Sequence, residues 1–508
     1  MIAKIIVDNK SKQVDKPFDY LVPKELEDKI KIGSRVLVPF SSGNREIEGF
    51  CVGTADTSDS KRLKSIIRTA NDSIGFDEDM LELIEWMRKK YLASYLDIIH
   101  TIVPSGTALK TKEWIILENK SEEKSEIRRR ITEILTDNGG SMEFKGLKEM
   151  CGVDIQNQVR AMIKDGTLKK EYRQSVDIKD KKIKCVKLIC DRETALESAE
   201  ILRRKAPVQA KMLEVLSENE YVSLADLQKF TNGSHSTVKA LEKKNLVNVF
   251  DMTVERDPYW NRVFEKTEKM VPTPEQEYAI DEITNSVKSG DGGIYLLHGV
   301  TGSGKTEVFM QTIENVINMG KSAIMLVPEI SLTPQMVSRF MSRFGGRVAI
   351  FHSGLSAGER YDQWKKIRDG EADIVIGARS AIFTPLKNIG VIIMDEEHSD
   401  TYKSDMSPRY HARETAIFRA SQFGAAVVLA SATPSVESYY KAQTGEYKLL
   451  EMNTRYNKNK MPEISVIDMR SELEKGNKSM LSGKLYNEIE ENLKRGEQTI
   501  LFLNRRGF

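Results

Sequence analysis

Apolar and polar positions follow three different rhythms along this chain. Between residues 270 and 460, short unbroken apolar runs recur at Ile294–Leu297, Ala323–Val327, Val348–Phe351, Ile374–Ile376, Val391–Met394 and Ala426–Leu429. A strand that is apolar on both faces belongs in a sheet covered on both sides. Helical spacing, as from Glu307 to Ile317, fills most of the intervals, so the region predicts a parallel, doubly wound α/β sheet. Residues 1–106 instead show short strand candidates, Ala3–Val7, Arg35–Pro39 and Gly49–Val52, separated by Gly, Ser, Asn and Pro turns. A helical pattern from Met80 to Tyr95, with Leu83, Trp86 and Met87 on one side, follows them, and Val103-Pro104-Ser105-Gly106 closes the unit.

Residues 107–255 look doubled. One copy, Ile127 to Tyr172, and another, Lys211 to Phe250, each read as three short helices with a strand-like end, the geometry of a winged helix-turn-helix. Such units bind DNA or serve as protein contacts, and the pattern fits both. Lys169, Lys170, Arg173, Lys179, Lys181, Lys182, Lys184 and Lys187 make a basic stretch that fits a solvated face as well as a phosphate contact. In residues 461–508, Gln498 to Leu503 reads as the first strand of another sheet, so the chain is expected to be truncated at Phe508.

The 508 residues are 40% hydrophobic and 30% charged, enough for several packed domains with well-solvated surfaces. A net charge of +2 excludes a uniformly basic coat but leaves room for local basic patches. The four cysteines, Cys51, Cys151, Cys185 and Cys190, form no C-x-x-C pair, so neither a disulfide framework nor a zinc site is indicated. No N-terminal signal peptide and no 18-residue apolar stretch is present, so no membrane span is expected.

Candidate chemistry lies at the ends of the apolar runs. Gly299, Val300, Thr301, Gly302, Ser303, Gly304, Lys305 and Thr306 fit a phosphate-binding loop between a strand and a helix. Lys305 is expected to reach the outer phosphates of ATP and Thr306 to hold Mg2+. After Val391–Met394 come Asp395, a carboxylate able to hold Mg2+ through water, and Glu396, which can polarise an attacking water. Gln276, just upstream, carries the donor–acceptor pair that adenine's edge requires. Gly377 to Phe383, with Arg379 and Ser380, follows one run and fits either a phosphate-backbone contact or a capping turn. Ser431 and Thr433 follow another, where their hydroxyls could link the nucleotide site to a DNA face.

Together these segments match helicase superfamily 2 in order and spacing. The runs GVTGSGKTEV, LVPEISLTPQ, HSGL, DEEH, RYHARE, SATPS and LFLNRRGF resemble the bacterial primosomal protein N′ (PriA) family of replication restart DNA helicases. The resemblance implies a RecA-like ATP-binding lobe over 270–460, the start of a second lobe after it, and a 3′-end DNA-binding domain over 1–106. It implies ATP-driven 3′-to-5′ translocation, forked and single-stranded DNA as partners, contacts with primosome proteins and single-strand-binding protein, and a cytoplasmic place of work.

By the same resemblance Lys305, Asp395 and Glu396 are catalytic, and His398 with Ser431 and Thr433 couples hydrolysis to movement. Tyr402, Arg409, Tyr410 and His411 belong to an aromatic-rich loop that touches DNA, with Pro408 standing where some relatives have an aromatic residue. Phe18, Asp19 and Lys64 line a pocket for a nascent strand's 3′ end, with Ser41 replacing a glycine of some relatives; ordinary β-core packing would also explain Phe18 and Tyr20. The family's zinc-binding cysteines follow NRRGF and would lie beyond Phe508. The second lobe's arginine would too, so the chain alone is expected to bind ATP and DNA but hydrolyse poorly. Two other readings stay open: a superfamily 2 motor that moves on duplex DNA without unwinding it, and a non-catalytic fork-binding protein with a vestigial ATP site.

Overall fold

The computed structural model describes residues 1–9, 11–41, 44–60, 62–70, 75–104, 109–119, 125–176, 181–254, 256, 265–456 and 462–502. These fall into two compact units, residues 1–455 and 456–508.

Strands β1 (Ile2–Val7), β2 (Phe18–Leu21), β3 (Arg35–Phe40), β4 (Arg45–Ala55), β5 (Lys64–Ser65) and β6 (Arg68–Thr69) form one sheet in the order β5-β2-β1-β4-β3-β6. β2 is only four residues long; antiparallel pairing with β1, Ile5 opposite Phe18 and Lys4 opposite Asp19, makes it a strand. The helical pattern expected over Met80–Tyr95 is two helices, α1 (Glu78–Tyr91) and α2 (Tyr95–Ile102). Leu92 turns left-handed at φ 50° and ends the first, and the Ser94 hydroxyl, accepting from the Asp97 N–H, caps the second.

Two units follow, each of short helices against a three-stranded sheet and each with its own core. The first is β7 (Leu109–Leu117), α3 (Glu126–Asp137), β8 (Ser141–Glu143), α4 (Phe144–Cys151), α5 (Gln156–Lys164) and β9 (Leu168–Val176), packed around Ile115, Ile131, Leu135 and Leu147. The second is β10 (Lys181–Leu188), α6 (Arg192–Leu202), α7 (Pro207–Ser217), β11 (Val222–Ser223), α8 (Leu224–Thr231), α9 (His235–Lys243) and β12 (Val247–Val254), packed around Val186, Leu213, Leu227 and Leu241. Each expected helical trio thus gains a strand ahead of it. β10 runs through the lysine-rich stretch because β12 pairs with it from Lys181 to Leu188; Cys185 and Val186 are buried while Lys182, Lys184 and Lys187 stay exposed.

The nucleotide-type lobe is a seven-stranded sheet, its strands all parallel, in the order β15-β16-β14-β17-β18-β13-β19. In chain order it comprises α10 (Pro274–Ser289), β13 (Gly293–Gly299), α11 (Lys305–Asn318), β14 (Ser322–Leu326), α12 (Pro334–Phe344), β15 (Val348–Phe351), α13 (Ala357–Arg368), β16 (Ile374–Gly377), β17 (Ile389–Met394), α14 (Ala412–Ser421), β18 (Ala426–Ser431), α15 (Val436–Gln443) and β19 (Lys448–Met452). Every residue of β14, β15, β16, β17 and β18 is buried, as the unbroken apolar runs require. β19, interrupted by the charged residues Lys448 and Glu451, is a strand only through pairing with β13 at the sheet's edge.

One apolar cluster joins Met80, Leu83, Met87, Ile98 and Ile99 of α1 and α2 to Leu326, Phe383, Ile392 and Tyr410 of this lobe. The Trp86 ring stacks on Phe418 with centroids 4.6 Å apart. In the second unit, α16 (Met469–Glu474) and α17 (Gly483–Lys494) form, but the strand expected from Gln498 does not: residues 498–502 are unpaired and exposed, because no described segment of that unit offers them a backbone ladder. Leu503 to Phe508, with Arg505 and Arg506, lie outside the described residues.

Arg419 on α14 is fully buried and donates to the carbonyls of Ile382, Thr384 (2.6 Å) and Leu386 (3.2 Å), holding the turn after β16. Arg419→Met keeps the bulk but leaves those oxygens without a donor, and should cost about 3 kcal/mol of stability in urea unfolding.

Candidate functional site

The site is assembled at the carboxyl ends of three neighbouring strands, β13, β18 and β17. Residues Gly299–Thr306 leave β13 and enter α11. Gly304 sits at φ 84°, and a Cβ there would stand 2.3 Å from the Gln276 amide nitrogen, so only glycine fits. Gln276 is buried: its Nε2 donates to the Ser303 carbonyl at 2.8 Å and its Oε1 accepts from the Thr273 N–H at 2.9 Å. Both ends of the amide are thus engaged by backbone in this conformation, and Gln276 ties the α10 N-terminus to the loop rather than presenting a free edge for adenine. Lys305 folds back so that Nζ donates to the Gly299 carbonyl at 2.6 Å. Its partial burial lowers the ammonium's pKa, against the opposing pull of Asp395 and Glu396. The Ser303 hydroxyl is buried in this loop without a protein partner, a donor of the kind a phosphate oxygen satisfies. Thr306, three residues further on, is half-buried.

The acidic run at the end of β17 separates into three environments. Asp395 is largely buried beside Glu396, and desolvation first, then that neighbouring charge, pushes its pKa up to about 6. Glu396 takes a left-handed backbone, φ 47°, which turns its side chain to partial exposure with Oε2 3.6 Å from His398 Nδ1. Glu397, fully buried, is met by donors on every side. It accepts from the Ser435 N–H (2.6 Å) and hydroxyl (3.1 Å), the Ser438 hydroxyl (2.8 Å) and Arg413 Nη1 (3.3 Å). His398 Nδ1 and the Ser431 Oγ are 2.8 Å apart, and that Oγ accepts from the Thr433 N–H at 2.9 Å. His398–Ser431 therefore bonds the end of β17 to that of β18, and the Glu397 side chain bonds it to α14 and the start of α15. The first link involves residues anticipated from their motifs; Glu397 and Arg413 were not, since nothing in an acidic run tells which carboxylate turns inward.

The segment after β17 departs from expectation. Tyr402 and Tyr410 were expected to face DNA, but both are buried. The Tyr402 hydroxyl lies 2.6 Å from the Asp395 carbonyl and 3.1 Å from the Leu326 carbonyl, and the Tyr410 ring packs edge-on against Phe383. Neither ring is open to a base here. Arg379 is also engaged, donating to the carbonyls of Thr401 (3.2 Å) and Lys403 (2.6 Å), so it braces this segment instead of projecting free. Ser380 is half-buried in the same turn, while Arg409 is exposed.

Phe18 and Asp19 lie on β2 and Lys64 on its neighbour β5, where Tyr20 pairs with Lys64, but each side chain meets a different partner. Phe18 is half-buried, its ring edge-on to Phe40 at 5.5 Å. Asp19 accepts from the Ser58 hydroxyl at 2.5 Å, and Lys64 Nζ donates to the Ser41 carbonyl at 2.7 Å. Ser41 itself sits at φ 64°, which accounts for glycine being an alternative there. Tyr20 is core, its hydroxyl donating to the Pro39 carbonyl.

Cys51, Cys151 and Cys185 are buried singly and Cys190 is half-buried. Among the described residues no His, Cys, Asp and Glu side chains gather as a metal-binding cluster, and no helix is long and apolar enough to cross a membrane. Holding Mg2+ between one hydroxyl and one carboxylate, with water completing its shell, fits Thr306 and Asp395, since that ion keeps several waters.

Residues 4–104 match the family described as the PriA 3′ DNA-binding domain (3′BD), and residues 273–442 match the DEAD/DEAH box helicase family. The replication restart protein PriA of Bacillus subtilis is 40% identical over 100% of this chain and 62% of its own length. That of Synechocystis is 33% identical over 96% of this chain and 59% of its own. The chain thus spans about three fifths of these relatives. A solved structure of RecG bound to a three-way DNA junction aligns at 26% identity over 38% of this chain and 24% of that one, with a TM-score of 0.28.

Replacing Glu397 with leucine strands Arg413 and two hydroxyls in a buried pocket and should lower stability by about 3 kcal/mol, measured by urea unfolding, whereas Glu397→Gln should cost much less.

Proposed function

The chain belongs to the PriA family of replication restart proteins, and on that footing we propose that it carries the first motor lobe and the fork-reading part of an ATP-dependent 3′-to-5′ DNA helicase. In this reading the protein recognises stalled or branched replication forks and initiates restart, working with primosome proteins and single-strand-binding protein. The observation that carries it is the convergence of the phosphate-type loop after β13 with the carboxylates after β17 on one edge of the sheet, where ligands of open α/β sheets bind.

The α11 N-terminus and the loop amides are suited to cradle the β- and γ-phosphates. Lys305 would exchange its bond to the Gly299 carbonyl for the outer phosphates, its intraloop bond marking how far the ammonium already reaches. Thr306 and Asp395 would hold Mg2+, which when bound neutralises charge on the phosphate oxygens. Glu396, partly exposed beside His398, would orient the attacking water and take its proton. His398 and Ser431 then pass a change at Glu396 to the end of β18, and the 3′-end pocket at Phe18, Asp19 and Lys64 gives the fork its polarity.

Lys305→Ala in the full-length protein should abolish DNA-stimulated ATP turnover while fork binding stays within about twofold, read by phosphate release and by fork anisotropy. Unchanged turnover would overturn the site assignment. Because the raised Asp395 pKa leaves its carboxyl increasingly protonated as pH falls through about 6, Mg2+-dependent nucleotide affinity should drop over that range and level off above it. Titration with a fluorescent nucleotide at fixed Mg2+ checks this.

A further inference from the structure

The segment Lys403–His411 is a closed hairpin pinned at both ends. Lys403 and His411 form a β-bridge, the Ser404 N–H donates to the Tyr410 carbonyl at 2.8 Å, and Lys403 Nζ donates to the Arg409 carbonyl at 2.6 Å. Its inner end is fixed by the Tyr402 hydroxyl at the Asp395 carbonyl, 2.6 Å away. Its outer end rests on the N-terminal unit. The Ser407 hydroxyl donates to Asp97 Oδ2 at 2.8 Å, the His411 N–H points to the Tyr91 hydroxyl at 3.4 Å, and the Lys403 ammonium lies 5.8 Å from the Tyr91 ring centre. Lys403, Met406 and Arg409 are the long side chains the hairpin exposes.

The same helix pair holds the segment that leads to the Phe18 edge. The Tyr95 N–H donates to Asp15 Oδ1 at 2.8 Å, and Arg88 reaches Asp15 Oδ2 at 3.5 Å. Asp15 stands three residues before Phe18, and Tyr95 two before Asp97. Hydrogen bonds joined by short stretches of backbone therefore connect the approach to β2, across the start of α2 and along the hairpin, with the backbone of Asp395.

We propose that Asp97 is a positioning residue through which the unit matching the 3′ DNA-binding domain holds the 403–411 hairpin, and with it Asp395, so that a DNA 3′ end favours turnover. This rests on the ATPase reading given above. The interface does not need Asp97 for its cohesion: Trp86 stacked on Phe418 and the apolar cluster beneath α1 and α2 supply that, and an exposed hydrogen bond adds little to it. What Asp97 adds is register, because Ser407 sits at the far end of the hairpin from Tyr402.

The test measures ATP turnover by the full-length protein on two forks that differ only in whether a 3′-OH-ended strand reaches the branch. The unmodified protein should be half-saturated at a lower concentration of the 3′-ended fork. Asp97→Ala should bring the two half-saturating concentrations to within about twofold of each other, with maximal turnover on excess single-stranded DNA within about twofold of normal. Ser407→Ala should match it, and the double variant should be no worse than either single. Asp97→Asn, whose amide oxygen still accepts the Ser407 proton, should keep the preference. If Asp97→Ala retains the preference, or Asp97→Asn loses it equally, the proposal is overturned. Absence of DNA-stimulated turnover in the unmodified protein would instead overturn the ATPase reading on which it rests.

Discussion

Parallel strands place all their carboxyl ends on one edge, and the chemistry of this chain depends on that constraint. β13, β18 and β17 lie side by side, so segments that start near residues 299, 395 and 431 meet although they are far apart in sequence. Hydrophobic burial on both faces of the sheet makes the arrangement stiff, and stiffness keeps a main-chain loop and a carboxylate at a fixed separation. Phosphate-binding amides are useful only when so held, since reorganising them at each turnover would consume the electrostatic advantage they offer.

Burying the end of β17 carries a cost that the local structure has to offset. Three consecutive carboxylates cannot all be desolvated and charged without partners. Glu397 is surrounded by an arginine and two serines, which makes it a tie between β17 and α15. Glu396 escapes by a left-handed backbone that directs it outward. Asp395 remains under-compensated, and its raised pKa reports that shortage. A site short of positive charge is one that a divalent cation would complete.

The aromatic residues after β17 show how the same side chains serve differently once packed. Tyr402 and Tyr410 belong, by family resemblance, to a loop expected to touch DNA, yet the turn after β16 and the α1–α2 pair cover them. Arg379 follows the same logic: carbonyls left open at the base of the hairpin need donors, and its guanidinium supplies them. The N-terminal unit is thereby built onto the parallel-sheet lobe through buried rings and a few polar contacts at the hairpin.

Much of this was legible in the residues alone. Unbroken apolar runs marked six of the seven strands of the large sheet, and the glycine-rich loop followed by helical spacing marked the phosphate-type turn, because strand burial and loop geometry are dictated by local side-chain type. β2, β10 and β19 were not legible, being short, lysine-rich or polar, and they are strands only because a neighbour supplies hydrogen bonds. The sequence by itself determined which segments leave the strand ends as candidates for the chemistry. Only the tertiary structure decided that Glu397 turns inward, that two tyrosines are covered and that Asp97 meets Ser407, since each depends on which distant surface arrives to desolvate a polar group or to pair with it.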